Sequence, residues 1–342
     1  MDRTRRRLVK TAIGASAAGF SLRGTWAAEP RALALSHQFP GGTIDEGDFR
    51  DRLCRKFALE VERRTGGALK ITIYPNSSLM KTNAQISAMR KGALDLGLVP
   101  LPYAGGEIAE ANIGLMPGLV QSYEQGGSWK QLPVGRSLAG VLYERGVVIL
   151  TWIWQAGGVV SRTRPIIEPE DAKGLKVRGG SREMDQVLKA AGAAVLSIPS
   201  DEIYAAMQTG ALDAAMTSST SLISYRLEEV AKQLTTGRGK AYWFMLEPLM
   251  VSRSVLESLP KSHQDVIVSV GAELEKFGVD GAKADDQKVA SIYERVGGKA
   301  SDLTLQTVER WRALARDTAW KDFRQRSESC AHLLQLAEQT IA

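Results

Sequence analysis

Arg178 is the residue of this chain whose sequence neighbours best suit it to chemistry. It ends the run Leu175-Lys176-Val177-Arg178 and is followed by Gly179-Gly180-Ser181 and a predicted helix. A guanidinium offers a planar fork that matches a carboxylate through two parallel hydrogen bonds. Two glycines let backbone N–H groups approach an anion, a helix start adds a favourable dipole, and Ser181 is suited to cap that helix. A second group follows Asp213. There Met216-Thr217-Ser218-Ser219-Thr220-Ser221 supplies five hydroxyls in six residues, just past a predicted strand. Ligands of open α/β sheets bind beyond the carboxyl ends of strands. Arg178 with Thr217, Ser218 and Ser219 is therefore the expected contact set for a small anion; a structural arginine and a plain Ser/Thr loop are the alternatives.

Trp152, Trp154, Trp243 and Phe244 fall near the ends of two predicted strands. Aromatics on strands pack in cores more often than they wall a ligand, so one or two of the four are expected at a pocket. His37 ends a strand and either lines the cleft or serves the structure. His263 and His332 sit on predicted helices and invite no catalytic role.

The sequence lacks G-x-S-x-G, G-x-G-x-x-G, G-x-x-x-x-G-K, H-E-x-x-H and C-x-x-C. Three scattered histidines and two cysteines make a metal centre improbable, and neither a metal nor a cofactor is expected. Cys54 and Cys330 lie on predicted helices near opposite ends; two free buried thiols are expected, with pairing after export as the alternative.

The elements that must position these groups alternate in type. Ala32–Ser36, Leu69–Tyr74, Leu94–Val99, Val147–Trp154, Leu175–Arg178 and Ala194–Ile198 read as strands. Asp48–Thr65, Gln85–Lys91, Arg182–Ala191 and Ile203–Gln208 read as helices; in the first, Phe49, Leu53, Phe57 and Val61 recur every four residues, and Gly66-Gly67 stop it. This is the pattern of an α/β protein. Ala88–Asp95 and Ala206–Asp213 share a helix–Gly–strand turn, which suggests two related lobes facing a cleft. Ser262–Val296 is one long helix or two joined, apolar at both ends and polar from Gly278 to Lys288. Such a helix would pack on both lobes and cross solvent between them. Gln306–Ala342 continues as terminal helix.

The formal net charge of +6 and the pI near 9.2 invite a nucleic-acid reading. Yet Arg3, Arg5, Arg6, Arg7, Lys10 and Arg23 stand against Asp2 alone within residues 1–27, so the rest of the chain is almost neutral. Neither nucleic-acid binding nor stable membrane insertion is expected. Thr4-Arg5-Arg6-Arg7-Leu8-Val9-Lys10 resembles a twin-arginine export signal. The apolar stretch Thr11–Leu22 is too short to span a bilayer, and cleavage after Ala27 is the simplest reading. The expected location is the periplasm.

Pro169-Glu170-Asp171-Ala172-Lys173-Gly174, running into Leu175-Lys176-Val177-Arg178, resembles the P-E-D-x-K-G-x-K-x-R signature of DctP-type solute-binding proteins of TRAP transporters. Gly192-Ala193 and the spaced set Glu202, Tyr204, Ala206, Gln208, Gly210 and Asp213 agree with it. So do Arg63–Gly67 and Arg90–Asp95. The resemblance covers nearly all of the chain beyond the signal. It implies a two-lobed periplasmic-binding fold with mixed, mainly parallel sheets and a long helix contacting both lobes. Lobe 1 is expected over 28–153 plus about 245–275, lobe 2 over about 154–244 plus part of the C-terminal helices, and connecting and terminal helices over 262–342. The resemblance gives Arg178 the substrate carboxylate and implies membrane permease subunits as partners. Gly157-Gly158 stands where many relatives carry a charge, and Asp213-Ala214-Ala215-Met216-Thr217-Ser218 replaces a common D-G-x-E-N-P. These departures suggest a monocarboxylate with an apolar or aromatic body, a 2-oxo or 2-hydroxy acid. A C4-dicarboxylate or sugar acid, and an exported enzyme acting on a small acid, are the alternatives.

Overall fold

The structure, a computed structural model, describes residues 29–238 and 241–341. The expected export segment lies outside the described residues. The chain lays down β1 (Arg31–His37), β2 (Leu69–Tyr74), β3 (Leu96–Leu98) and β4 (Val147–Thr151). It then passes to β5 (Trp154–Ser161), β6 (Lys176–Arg178), β7 (Ala194–Val195), β8 (Ala214–Ser218), β9 (Gln233–Thr236) and β10 (Phe244–Leu246). It returns with β11 (Leu249–Ser252) and later adds β12 (Lys299–Asp302). One sheet runs β2-β1-β3-β11-β4; the other runs β12-β9-β5-β8-β6-β7, with β10 also paired to β5. Each sheet is the centre of one lobe.

Both sheets are mixed, as expected, but parallel pairings do not predominate. β1–β2, β1–β3, β6–β7, β6–β8 and β9–β12 run parallel. Five antiparallel ladders match them, all made by β5 or β11. These are the strands that enter a sheet from the other lobe, and they run against the direction set by the strand–helix units.

The helix Phe49–Arg64 shows how pattern becomes packing. Asp48 caps it by accepting the Arg50 N–H at 2.8 Å, and Phe49, Leu53, Phe57 and Val61 all turn into the core of the first sheet. Each such side chain, fully buried, contributes about 1.5–3 kcal/mol. The single strand expected over Val147–Trp154 is two strands in different sheets. Glu275 takes the Trp152 N–H at 2.9 Å, which removes it from the ladder at the crossing.

The region expected as one or two long helices is two, Lys261–Glu273 and Glu275–Arg295, meeting at Leu274. The second touches both lobes. Gly278 lies where a Cβ would come within 2.9 Å of Ile153, and Gly281 where one would come within 2.6 Å of Phe49. Further along, Val289, Ala290 and Tyr293 join a core with Ile203, Leu222 and Leu234. Its polar middle does not cross solvent. Gly278, Ala282, Asp285 and Asp286 face inward, and Ser219 Oγ donates to Asp286 at 2.7 Å.

The C-terminal helices pack against Pro133–Glu144 and Arg182–Ala190, and Trp311, Trp320, Phe323 and Leu333 join one core there. Trp311 Nε1 donates to the Ile167 carbonyl and Trp320 Nε1 to that of Pro117. Cys54 and Cys330 are buried, unpaired and in different cores.

Candidate binding site

β6 and β8 are parallel neighbours, with Val177 opposite Ala214 and Arg178 opposite Ala215. Their carboxyl ends therefore deliver Arg178 and Thr217-Ser218 to one place. Arg178 is only 4 % exposed. Its Nε donates to the Ile198 carbonyl at 3.0 Å, Nη1 to the Met216 carbonyl at 2.7 Å and Nη2 to the Tyr103 hydroxyl at 2.8 Å. Its partners are carbonyls and a phenol, not a carboxylate. A guanidinium has five N–H groups, so two remain for an incoming anion. Gly180 adopts φ +94°, and a Cβ there would stand 2.7 Å from Arg178 Nη1; a side-chain-free residue is required on both counts. Ser181 caps the helix Arg182–Ala190 by accepting the Met184 N–H at 3.0 Å.

The guanidinium, Thr217 and Ser218 line a cavity of about 10 Å³, which is room for about one water. Trp243 and Met245 form its apolar side, and Tyr103, Ser200 and Ser221 complete the polar side. Gly157 explains how Trp243 fits. A Cβ at 157 would fall 2.1 Å from the Trp243 ring, so a glycine there leaves room for the indole. A larger opening of about 820 Å³ lies beside this cavity, bordered by Gly180, Lys189, Ser197 and Ile198; Tyr103 lines both spaces.

Thus the structure brings together Arg178, Thr217, Ser218 and Trp243. The remaining candidates lie elsewhere. Ser219 turns its hydroxyl to Asp286 in the long helix. Trp152 is in the core beside Glu275, and Trp154 packs edge-on against Trp129 at 5.0 Å. His37 is fully buried; Nε2 meets Asp51 Oδ1 at 3.1 Å and Nδ1 accepts the Phe39 N–H at 3.2 Å, so it braces the first lobe. His37, Asp51 and Arg55 form one group. Burial opposes ionisation of the Asp51 carboxyl, but hydrogen bonds from His37, Arg55 and the Gly42 N–H lower its pKa nonetheless.

Tyr103, Ser200 and Met245 are among the cavity residues that sequence reasoning did not single out, whereas Ser221 closes the hydroxyl run it named. Tyr103 Oη accepts from Arg178 and from the Ser200 N–H at 3.1 Å. Both lone pairs are then occupied, and its own proton is left to donate. Behind Ser221 stands a buried charged group. Arg50 is paired with Asp48 at 2.7 Å and Glu247 at 3.1 Å, its Cζ 3.6 Å above the Phe39 ring. Burial disfavours the Arg50 charge, yet Asp48 and Glu247 outweigh it and raise the pKa; burial pushes the Glu247 carboxyl up despite Arg50. Gln155 Nε2 also donates to Glu247.

The arrangement can hold an oxyanion and enclose it; it contains no nucleophile paired with a base. Among the described residues no group of three or more His, Cys, Asp or Glu is placed to hold a metal, and no helix is long and apolar enough to cross a membrane.

Comparison with known proteins agrees with this geometry. The family model of bacterial extracellular solute-binding protein family 7, DctP, matches residues 46–326. A solute-binding protein of Albidiferax ferrireducens is 62% identical over 339 residues, 98% of this chain and 99% of that protein. The C4-dicarboxylate-binding periplasmic protein DctP of Rhodobacter capsulatus is 24% identical over 90% of each chain. Among solved structures, a TRAP periplasmic solute-binding protein from Rhodoferax ferrireducens with bound malonate has 66% identity and a TM-score of 0.89, covering 90% of this chain and 98% of that one. With a lone guanidinium at paired strand ends, two lobes around it and a family match over most of its length, the chain belongs to the DctP family of TRAP-transporter solute-binding proteins.

Proposed function

We propose that this chain captures a short organic acid in the periplasm and hands it to the membrane permease of a TRAP transporter. One carboxylate of the acid sits on Arg178. The observation that carries this reading is that guanidinium: buried, in no ion pair among the described residues, with two N–H groups left and a small cavity before it. Thr217, Ser221 and the Tyr103 proton supply further hydrogen bonds. A cavity of about 10 Å³ does not admit even a short acid as it stands, so the lobes part to load and close again around the ligand. Residues 1–27 are the export signal, read by the twin-arginine route.

The malonate bound to the Rhodoferax ferrireducens protein makes a short dicarboxylate the first candidate. Trp243 and Met245, facing a single guanidinium, favour a second reading: a monocarboxylate with a short apolar body, such as a 2-oxo or 2-hydroxy acid. The small enclosed volume disfavours an aromatic body. Calorimetric titration of the chain lacking residues 1–27 with malonate, succinate and short 2-oxo and 2-hydroxy acids separates these readings. Binding of none of them, or undiminished affinity in Arg178→Ala, would sink the proposal.

A further inference from the structure

Ser221 Oγ stands between the cavity and the buried Arg50. Arg50 Nη1 donates to it at 3.1 Å, and Ser218 Oγ donates to it at 3.1 Å. Ser218 Oγ in turn accepts the Ser221 N–H at 3.2 Å. A hydroxyl has two lone pairs and one proton. With both lone pairs of Ser221 taken, its proton is left for an acceptor in the cavity that the residue lines. Arg50 is itself immobilised: Nε and Nη2 hold the two Asp48 oxygens at 2.9 and 2.7 Å, and Glu247 holds Nη1. Two carboxylates surround one guanidinium, so what Arg50 passes to Ser221 is a hydrogen-bond direction rather than net positive charge.

We propose that Arg50 is a positioning residue for ligand recognition. It pins Ser221 Oγ as an acceptor and thereby aims the Ser221 O–H at a second oxygen of the bound acid, distinct from the carboxylate on Arg178. The inference rests on the binding role proposed above and narrows it to acids that carry oxygen acceptors at both ends. Arg50 sits on the helix Phe49–Arg64 of the first lobe and Ser221 beyond β8 of the second. The donor is therefore set only when the lobes are together.

The test titrates malonate and propanoate, which has a methyl group where malonate has its second carboxylate, against wild type, Ser221→Ala, Arg50→Lys and the double variant. Lysine at 50 keeps a cation beside Asp48 and Glu247. Ser221→Ala should weaken malonate about tenfold and leave propanoate within about threefold. Arg50→Lys should do the same, and the double variant should be no worse than either single one, since all remove one contact. Additive losses, or equal losses for both acids, overturn the proposal. If Arg50→Lys does not fold, Ser218→Ala, which frees one lone pair of Ser221, should reduce the preference for malonate; an unchanged preference overturns it equally. Where propanoate is too weak to read, non-additivity in malonate alone decides. Failure of wild type to bind any acid, or indifference to Arg178→Ala, would count against the binding role itself and not against the assignment of Arg50.

Discussion

Arg178 and Tyr103 join the two lobes directly: Nη2 of the second lobe's guanidinium donates to the first lobe's phenol at 2.8 Å. Removing Arg178 should therefore do two things. Arg178→Ala should lower affinity for the acid by roughly a hundredfold or more, because a carboxylate left without its cation in a buried site loses about 3–5 kcal/mol. Arg178→Lys should restore only part of this, since an ammonium lacks the planar fork. Titration calorimetry measures both, and far-ultraviolet circular dichroism should be unchanged.

Tyr103→Phe should weaken binding by about tenfold. The phenol oxygen already accepts two hydrogen bonds, so the hydroxyl proton is its contribution to a ligand, worth about 1.5 kcal/mol when the acceptor is charged. Without ligand the variant should also be more open, as a larger radius of gyration in small-angle scattering. Tighter binding by Tyr103→Phe would mean that the phenol competes with the ligand for Arg178.

Glu183 gives stability a pH dependence of predictable sign. It is fully buried, Arg326 donates to Oε1 at 2.6 Å, and Oε2 has no partner. Burial pushes its pKa up to about 7 from 4.5, with Arg326 opposing in part. The folded chain thus binds more protons than the unfolded one between these values. Stability falls as pH rises through that window, by about 3 kcal/mol in full. Urea midpoints of wild type should fall between about pH 5 and 8 relative to those of Glu183→Gln. Parallel profiles would show that the carboxyl ionises normally.

Two glycines should respond oppositely to alanine. Gly281→Ala forces a methyl to within 2.6 Å of Phe49 and should destabilise by about 1–3 kcal/mol. Gly140, exposed on the helix Pro133–Glu144, meets nothing within 4 Å, and Gly140→Ala should stabilise by about 0.5–1 kcal/mol. Denaturant titrations of the two variants check the pair.

Cys54 and Cys330 should resist Ellman's reagent until the chain is denatured, when both thiols should react. Each is buried, and burial raises the pKa of both thiols. Reaction of neither thiol after denaturation without reductant would indicate a disulfide.

What could be read from the sequence was local. Arg178 was legible because strand end, glycine pair and helix cap lie within a few residues, and Thr217-Ser218 because they close the next parallel strand. Tyr103 and Arg50 were not, since they reach their partners across 75 and 171 residues and from the other lobe. The tryptophans mark a different limit. Alternation places side chains on two faces of a strand without saying which face meets the cleft. It also gave no sign that the chain changes sheet at Trp152. Ser219 points away from the cavity because the hydroxyl run is not one loop: it ends β8 and begins the short helix Ser219–Ser224, which turns that side chain to Asp286.

The one-water volume beside Arg178 has a kinetic consequence. On the proposed role the lobes part for an acid to reach Arg178, so its residence time depends on that opening as well as on the contacts. On that reading, whatever lengthens or shortens the closed interval, contact with a permease included, sets the timing of delivery.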